Sequence, residues 1–412
     1  MKQSLLTALA ILIGICLANP LKAQAPTNGH LLIIGGALDY EDPKIYHHFL
    51  DLARQNTKQR PVRIAVIPTA SGNPERSGRL TAEDILKHAA THPSYEHLKI
   101  DDHLRVSILE ITTANPEAAH DPDIVAQIDA SDALWFTGGD QSRITAVFRP
   151  EAGDTPAFRA VRRLLERGGV VAGTSAGAAM MPERMIRWGN SEEALLIGRS
   201  DVIEDRGVGV GQGMGLMDDV MIDQHFLERQ RMGRLIVGMH TEGIWLGLGI
   251  NENRALAVDL HEGTGKAIGH HAVFVVDNRY RSNDPRERLM TDGYRMSLLS
   301  DGDEIELATG LIHTHRENAE FESTTLFGEA MGAPDNVVVI PVWDRFHRST
   351  TDAVFYARVH ISRDFFPEPD VRQAAKRLRA EIDEQLANLQ LTESPPPIAW
   401  DPWNETLQDT PE

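Results

Sequence analysis

Short apolar runs alternate with amphipathic helical patterns along the chain from about residue 30 onward. This alternation restricts the fold more than any other feature, because it is typical of a parallel β-sheet with helices on both faces. Strands are predicted at residues 31–34, 64–67, 106–111, 133–136 and 170–172. Helices are predicted at residues 81–91, 122–130 and 156–167. We therefore expect an α/β fold with three layers, α/β/α, built on a mostly parallel, doubly wound sheet.

The domain organisation follows from where this pattern changes. A second apolar block at residues 244–250, 255–258 and 272–276 predicts strands that either continue the sheet or add an antiparallel extension. We expect one α/β domain over residues 26–325. Residues 326–412 form a predicted C-terminal extension, with two strands within residues 335–362, a charged amphipathic helix at residues 369–391 and a Pro-rich acidic tail.

Residues 1–25 have the pattern of a cleaved signal peptide. Lys2 is followed by an apolar run over residues 5–18, and the small residues Ala23 and Ala25 come next. The run is short for a membrane anchor, so we expect a secreted or periplasmic chain that is free of the membrane once the signal is removed. The single cysteine, Cys16, lies in this segment, which leaves the mature chain without a thiol nucleophile or thiolate metal ligand.

The charge of the chain argues against one class of partner. The formal net charge is −19, which disfavours nucleic acid as a general partner. An acidic surface would attract a cationic substrate, or it could simply keep an exported protein soluble. No cofactor or metal is predicted, because the pair His313 and His315 has no further clustered donor and is more typical of a strand or loop.

The segment Gly173-Thr174-Ser175-Ala176-Gly177 lies between a predicted strand and an apolar helical stretch. A strand, a sharp turn and a helix are what a nucleophile elbow requires, because the strained turn exposes the serine hydroxyl at the top of the sheet. Ser175 is therefore a candidate nucleophile. The same Gly-rich turn could instead bind an anion through its backbone amides, so the hypothesis depends on finding a base and an acid.

His225 and Glu252 are the candidate base and orienting acid. His225 follows an apolar strand at residues 220–222, and Glu252 follows the strand that ends near residue 250. A base must take the serine proton, and a carboxylate can hold the imidazole in the productive tautomer. Either residue alone could be an ordinary polar residue at a strand end. Their order, Ser then His then Glu, differs from the Ser, acid, His order of α/β-hydrolases.

Three arginines, Arg229, Arg231 and Arg234, follow His225 within nine positions. Guanidinium groups beside a candidate site favour the binding of carboxylates. On a helix that starts near residue 226, the three side chains cannot share one face, and Glu228 could neutralise one of them. We therefore expect Arg229 and one of the other two at the site.

Five segments, in this order, resemble the cyanophycinase family of serine peptidases. They are Ile33-Ile34-Gly35-Gly36, Phe136-Thr137-Gly138-Gly139-Asp140-Gln141, Gly173-Thr174-Ser175-Ala176-Gly177-Ala178, Asp223-Gln224-His225-Phe226 with its arginines, and Gly249-Ile250-Asn251-Glu252. The resemblance covers residues 28–280 and implies a fold like that of the class I glutamine amidotransferases, with serine in place of their cysteine. Asn251 and Asn253 replace acidic residues expected beside the family glutamate.

The resemblance also implies roles for individual residues. Ser175 would be the nucleophile, His225 the general base and Glu252 its orienting acid. The oxyanion hole would be formed by backbone amides of Gly139, Asp140 and Ala176, although Asp140 could instead cap a helix that starts at residue 141. The positions near the substrate would be Gln141, Asp223, Gln224, Arg229, Arg231 and Arg234.

The implied substrate is cyanophycin, a poly-aspartate with arginine on each side chain, which family members cut in the backbone to β-Asp-Arg dipeptides. The guanidinium groups would pair with aspartyl α-carboxylates, and Asp223 or another acid would meet the arginine of the substrate. A homodimer is also implied.

Two alternative functions stay open: an aspartyl or isoaspartyl dipeptidase of the peptidase E type with the same triad, and a non-catalytic protein that binds peptides in the same crevice.

Overall fold

The computed structural model describes residues 28–55, 61–203, 206–279, 290–313, 337–346 and 353–361. The predicted signal peptide, the charged helix at residues 369–391 and the acidic tail lie outside these residues. The strands are β1 His30–Ile34, β2 Val62–Ile67, β3 Leu104–Ile108, β4 Ala133–Phe136, β5 Val170–Thr174, β6 Arg184–Trp188, β7 Gly209–Gln212, β8 Val220–Gln224, β9 Leu246–Ile250, β10 Arg254–Asp259, β11 Thr264–Gly269, β12 Val273–Asp277, β13 Met290–Leu299, β14 Glu304–Glu306, β15 Ile312–His313, β16 Val337–Phe346 and β17 Ala353–Ile361. The helices are α1 Lys44–Arg54, α2 Pro74–Ala90, α3 Ile100–His103, α4 Pro122–Ala130, α5 Gln141–Phe148, α6 Pro156–Glu166, α7 Ala176–Ala179, α8 Ser191–Ile197 and α9 Met232–Glu242, with a 3-10 helix at Pro116–His120.

The main sheet has the strand order β15-β14-β11-β10-β1-β5-β4-β2-β3. The five strands from β1 to β3 in this order are parallel, and β10 extends the sheet on the other side of β1 as an antiparallel neighbour. The predicted α/β fold with a parallel central sheet is therefore confirmed. The strand predicted at residues 106–111 lies earlier, at Leu104–Ile108. Leu109 and Ile111 are buried, but they belong to the loop that follows.

Helices cover both faces of the parallel strands, as the three-layer prediction requires. Successive side chains of β1 point to opposite faces: Leu31 and Ile33 belong to the core that includes residues of α4, α5 and α6. Leu32 and Ile34 belong to the core that includes residues of α1 and α2. Because both faces are buried, the strands are continuous apolar runs in the sequence.

A second sheet has the strand order β16-β17-β13-β12-β9-β8. Strands β8 and β9 are parallel, and one face of β9 and β12 shares a core with the main sheet. The other face packs against α9. Of the apolar block at residues 244–250, 255–258 and 272–276, the strand β10 extends the main sheet as an antiparallel neighbour, as the sequence allowed, whereas β9 and β12 belong to a second sheet that the sequence did not indicate. Strands β16 and β17 lie within residues 335–362, where two strands were predicted.

The helix boundaries follow local capping signals. The side chains of Asn73, Asp121 and Thr155 accept hydrogen bonds from the first turns of α2, α4 and α6, and each cap is followed by proline. The cap at Asn73 explains why α2 begins before the predicted residue 81. In the described residues no helix is long and apolar enough to cross a membrane.

The ring of Phe158 provides a test of this packing. Phe158 is fully buried in α6, and the guanidinium groups of Arg149 and Arg162 lie 5.2 and 4.8 Å from its ring centre. Phe158→Ala leaves a cavity and removes both cation–π contacts, so we expect it to lower the free energy of unfolding by about 3–5 kcal/mol in urea denaturation. Tyr40→Ala is the control, because Tyr40 is 62% exposed, and equal effects of the two changes would contradict the assigned core.

Candidate active site

Ser175 lies at the turn between β5 and α7 with φ 53° and ψ −110°, a left-handed backbone that is strained for any residue except glycine. Glycines on either side permit this tight turn. A Cβ atom on Gly173 would lie 2.1 Å from the carbonyl oxygen of Gly177, and a Cβ atom on Gly177 would lie 2.4 Å from that of Phe136. The predicted strand, strained turn and helix are therefore present around Ser175.

The end of β1 holds the three segments that carry the candidate triad. The carbonyl oxygens of Ile34, Gly35 and Gly36 accept hydrogen bonds, each 2.9 Å long, from the amides of Ser175, His225 and Asn253 respectively. Each amide belongs to a candidate residue or to its neighbour in the chain. Three successive peptide groups therefore fix the relative positions of three segments that are far apart in the sequence.

Gly35 and Gly36 are required by this arrangement. A Cβ atom on Gly35 would lie 1.9 Å from the carbonyl oxygen of Asn251, and one on Gly36 would lie 2.3 Å from Cε1 of His225. Gly36 also has φ +112°, which disfavours any side chain. The imidazole of His225 therefore packs directly on the backbone at the end of β1.

Ser175, His225 and Glu252 form one continuous chain of hydrogen bonds. The Nε2 atom of His225 lies 2.8 Å from Oγ of Ser175, and its Nδ1 atom lies 2.6 Å from Oε1 of Glu252. A carboxylate oxygen accepts, so the Nδ1–H of neutral His225 donates to Glu252 and Nε2 is left to accept the serine proton. The structure thus brings together the three residues predicted as nucleophile, base and acid.

The surroundings of His225 keep its imidazole neutral. Burial lowers the pKa of His225, the hydrogen bond to Glu252 raises it, and the positive charges of Arg229 and Arg231 lower it again. The net effect is a pKa below the usual value for histidine. A neutral imidazole with a free Nε2 lone pair is the form that a general base needs.

Two of the three amides predicted for an oxyanion hole remain available. Gly138 lies against Ser175, since a Cβ atom there would be 3.3 Å from the serine Cβ. The Asp140 amide, however, donates to the carbonyl oxygen of Ala70 at 2.9 Å, so its prediction as an oxyanion donor is wrong. The Asp140 side chain accepts from the amide of Ser142 and caps α5, which was the alternative. Gly139 and Ala176 are left as the candidate donors.

Gln141 has an internal role that replaces its predicted contact with substrate. Its side chain is buried, and Nε2 donates to the carbonyl oxygens of Ile186 and Arg187 at 2.6 and 3.2 Å. Both amide hydrogens are therefore used to hold α5 against β6. The prediction failed because the partners are backbone atoms 45 and 46 residues away.

Asp223 and Arg234 form a buried ion pair. Nε and Nη2 of Arg234 each lie 2.6 Å from a carboxylate oxygen of Asp223, and Nη1 donates to the carbonyl oxygen of Gly189. Asp223 is 1% exposed and Arg234 is 5% exposed. The prediction that Asp223 meets the arginine of a substrate is therefore wrong, because Asp223 is already paired within the protein. Arg234 is likewise unavailable for a substrate carboxylate.

Gln224 and Arg231 are joined in the same way. Nη1 of Arg231 donates to both the side-chain and the backbone oxygen of Gln224, and it lies 3.4 Å from Asp223. Burial lowers the pKa of Arg231 to about 10, so this guanidinium still carries its charge at neutral pH. These contacts tie the loop after His225 to the end of β8. Arg231 and Gln224 therefore position the loop.

Arg229 is the predicted cation that the structure leaves exposed. Its backbone amide donates to the carbonyl oxygen of His225, and its charge acts on the imidazole. The helix expected to start near residue 226 begins at Met232 instead, because residues 226–231 form a turn in which Gln230 has φ 50°. Arg231 and Arg234 both face Asp223, so that among the three arginines Arg229 alone combines exposure with proximity to the base.

Asn251 and Asn253 are two residues of the site to which the sequence assigned no role. Asn251 is 1% exposed, and its Oδ1 accepts from the amide of Leu227 at 3.1 Å. Asn253 has φ 51°, and its Oδ1 accepts from the amide of Asp39 at 3.1 Å. The sequence did contain one signal for Asn251, because it is a polar residue directly after a fully apolar strand. At the functional edge of a sheet, such a residue usually has a structural or functional role.

The ion pair of Asp223 and Arg234 gives the second prediction. Arg234→Met leaves a buried carboxylate without its main partner, so we expect it to lower the free energy of unfolding by about 3–5 kcal/mol. Arg229→Met, at the exposed arginine, is the matched control and should leave the unfolding transition unchanged. Urea denaturation of both variants measures this, and a fully stable Arg234→Met protein would return Arg234 to the list of substrate-binding candidates.

Comparison with known proteins identifies the family of the chain. The model of peptidase family S51 matches residues 31–264. Cyanophycinase from Synechococcus elongatus is 31% identical over 288 residues, which cover 68% of this chain and 80% of the relative. Cyanophycinase from Nostoc sp. is 31% identical over 304 residues, which cover 70% of this chain and 90% of the relative.

Among solved structures, that of a peptidase from an acI-B1 Actinobacterium superposes with a TM-score of 0.48 and 17% identity, covering 69% of this chain and 98% of that one. This likeness is too distant to add to the argument, which depends on the sequence relatives. The family match extends over more than half of the chain and includes every residue of the candidate triad. The resemblance seen in the five motifs is therefore confirmed, and the chain is a peptidase that belongs to family S51.

Proposed function

We propose that the chain hydrolyses cyanophycin to β-Asp-Arg dipeptides through a Ser175-His225-Glu252 triad. One observation carries the catalytic part of this proposal: the unbroken hydrogen-bond chain from Oγ of Ser175 through both ring nitrogens of His225 to Oε1 of Glu252. A non-catalytic peptide-binding protein has no need of an imidazole held between a hydroxyl and a carboxylate. The strained backbone at Ser175 favours catalysis for the same reason.

In the acylation step, Nε2 of His225 takes the hydroxyl proton while Oγ of Ser175 bonds to the carbonyl carbon of the scissile peptide. The carbonyl oxygen becomes an oxyanion, for which the amides of Gly139 and Ala176 are the candidate donors. The imidazolium is stabilised by Glu252. When the intermediate collapses, His225 gives its proton to the leaving amine and the acyl group stays on Ser175.

In the deacylation step, a water molecule takes the place of the leaving amine. His225 accepts one proton from this water, and the resulting hydroxide bonds to the acyl carbon. Collapse of the second intermediate breaks the bond to Oγ, and His225 returns the proton to Ser175. The neutral resting state of His225 permits the same nitrogen to act as base and then as acid in both halves of the cycle.

The choice of cyanophycin is supported by the names of the relatives and by one cation. Relatives at 31% identity, including those from Synechococcus elongatus and Nostoc sp., are cyanophycinases. Arg229 is exposed and close enough to His225 for its charge to act on the ring. A guanidinium in this position can pair with a carboxylate of the polymer beside the scissile bond.

The proposed reaction predicts that Ser175→Ala folds normally and lowers kcat on cyanophycin by about 10⁴-fold or more, because the nucleophile is lost. Glu252→Gln should lower kcat by about 10²- to 10⁴-fold, since an amide cannot stabilise the imidazolium equally well. The measurement is release of β-Asp-Arg from purified polymer, followed by mass spectrometry. Arg163→Met, at an exposed arginine paired with Asp129, is a control that should keep wild-type kcat.

Three outcomes would contradict separate parts of this proposal. Wild-type hydrolysis by Ser175→Ala would remove the triad as the catalytic centre. Hydrolysis of short aspartyl or isoaspartyl dipeptides by the wild-type enzyme, without any release from the polymer, would keep the triad and replace the substrate. A serine-directed phosphonate that fails to label Ser175 in folded protein would favour a binding function instead.

We also propose that the chain is exported, on the basis of its first 25 residues, which lie outside the described part of the structure. The basic Lys2, the apolar run and the small residues near Ala23 support cleavage by a signal peptidase. Expression of the full chain in a Gram-negative host should therefore give a mature protein that starts after Ala23 or Ala25, in the periplasm or medium. N-terminal sequencing of the fractions measures this, and an intact Met1 in a cytoplasmic fraction would exclude it.

A further inference from the structure

The turn that carries Glu252 is held by contacts on both sides of that residue. On one side, the carbonyl of Asn251 packs against Gly35, and Oδ1 of Asn251 accepts from the amide of Leu227. On the other side, the amide of Asn253 donates to the carbonyl oxygen of Gly36. Glu252 itself is 32% exposed and touches the site through its bond to His225. Its position is therefore set by its neighbours in the chain.

The Asn251 contact links the acid to the base. Leu227 is two residues beyond His225, and the amide of Phe226 between them donates to the carbonyl oxygen of Ile250, directly before Asn251. Two hydrogen bonds thus join residues 226 and 227 to residues 250 and 251. They run beside the 2.6 Å bond between His225 and Glu252 and fix the separation of the two side chains.

We infer that Asn251 is a positioning residue, whose buried amide side chain locks the Glu252 turn to the loop after His225 while adding no charge beside the imidazole. This inference rests on the proposed triad. A carboxylate at this position would accept the same hydrogen bond from Leu227, so that bond by itself does not require asparagine. What asparagine provides, in addition to the acceptor, is neutrality at a site that is 1% exposed.

The absence of charge on Asn251 matters for the protonation of His225 because of the groups that already face the imidazole. These are Ser175, the anion Glu252 and the cations Arg229 and Arg231. Glu252 is the negative charge that favours the imidazolium, and burial together with the arginines opposes it. A second buried carboxylate would shift this balance toward the charged imidazole, which has no lone pair to accept the serine proton.

Two substitutions at Asn251 separate its two contributions. Asn251→Ala loses the acceptor for Leu227, and we expect kcat to fall about 10-fold with KM little changed, because Glu252 is no longer held in place. Asn251→Asp keeps the acceptor and should restore most of kcat at high pH. It should also move the acidic limb of the kcat/KM profile upward by about one pH unit, since a raised pKa of His225 means that the base is lost at higher pH.

Asn253→Asp is the matched control. It adds the same charge on the other side of Glu252, at a residue that is more exposed, so solvent should screen it and the acidic limb should move much less. Equal shifts for Asn251→Asp and Asn253→Asp, or no shift for either, would overturn the inference. So would an Asn251→Ala enzyme with wild-type kcat.

A measurement that does not need turnover keeps this inference separate from the proposed function. In the Ser175→Ala background, NMR titration of the His225 ring, assigned with His225→Gln, gives its pKa with and without Asn251→Asp. A pKa raised by about one unit supports the part of the inference that concerns a neutral side chain at residue 251, even if the substrate proves to be something other than cyanophycin. An unchanged pKa overturns it, whatever Ser175→Ala does to hydrolysis.

Discussion

Three consecutive carbonyl groups at the end of β1 are the constraint on which the site depends. The oxygens of Ile34, Gly35 and Gly36 accept from the amides of Ser175, His225 and Asn253. Backbone groups therefore set the relative positions of the three chain segments that carry the triad. The constraint also explains why the two residues that follow β1 are glycines, since a Cβ atom on either would collide with the Asn251 carbonyl or the His225 ring.

Burial divides the charged residues near the site into two groups. Asp223, Arg231 and Arg234 satisfy one another and nearby oxygens behind the loop, where an unpaired charge would be costly. They stabilise the loop that presents His225 and are not free to bind ligand. Arg229 stays exposed, so it is the one of the three arginines that is placed to meet a ligand beside the base. The number of arginines in the sequence therefore overstates the number that can meet a substrate.

The sequence predicted those features that depend on local pattern. The parallel strands are short apolar runs that end in glycine or turn residues, and Ser175 stands between a strand and a helix with small neighbours. The order of Ser175, His225 and Glu252 along the chain could also be identified without the structure. Pairings across space could not be predicted: the Asp140 amide bonds Ala70, and Gln141 bonds the backbone of Ile186. A carboxylate or amide beside a motif can bind either a substrate or another part of the protein. Which of the two it binds depends on its neighbours in space, and the sequence does not show them.

The structure of the loop after His225 could not be predicted from its local sequence either. Its composition suggests a helix from residue 226, yet residues 226–230 form a turn in which Gln230 has φ 50°, and this left-handed backbone interrupts any helix. The helix begins only at Met232, beyond that turn. Within the turn, the amides of Phe226 and Leu227 bond the carbonyl oxygen of Ile250 and the side chain of Asn251, so the segment that departs from local helix propensity is the one that holds base and acid together.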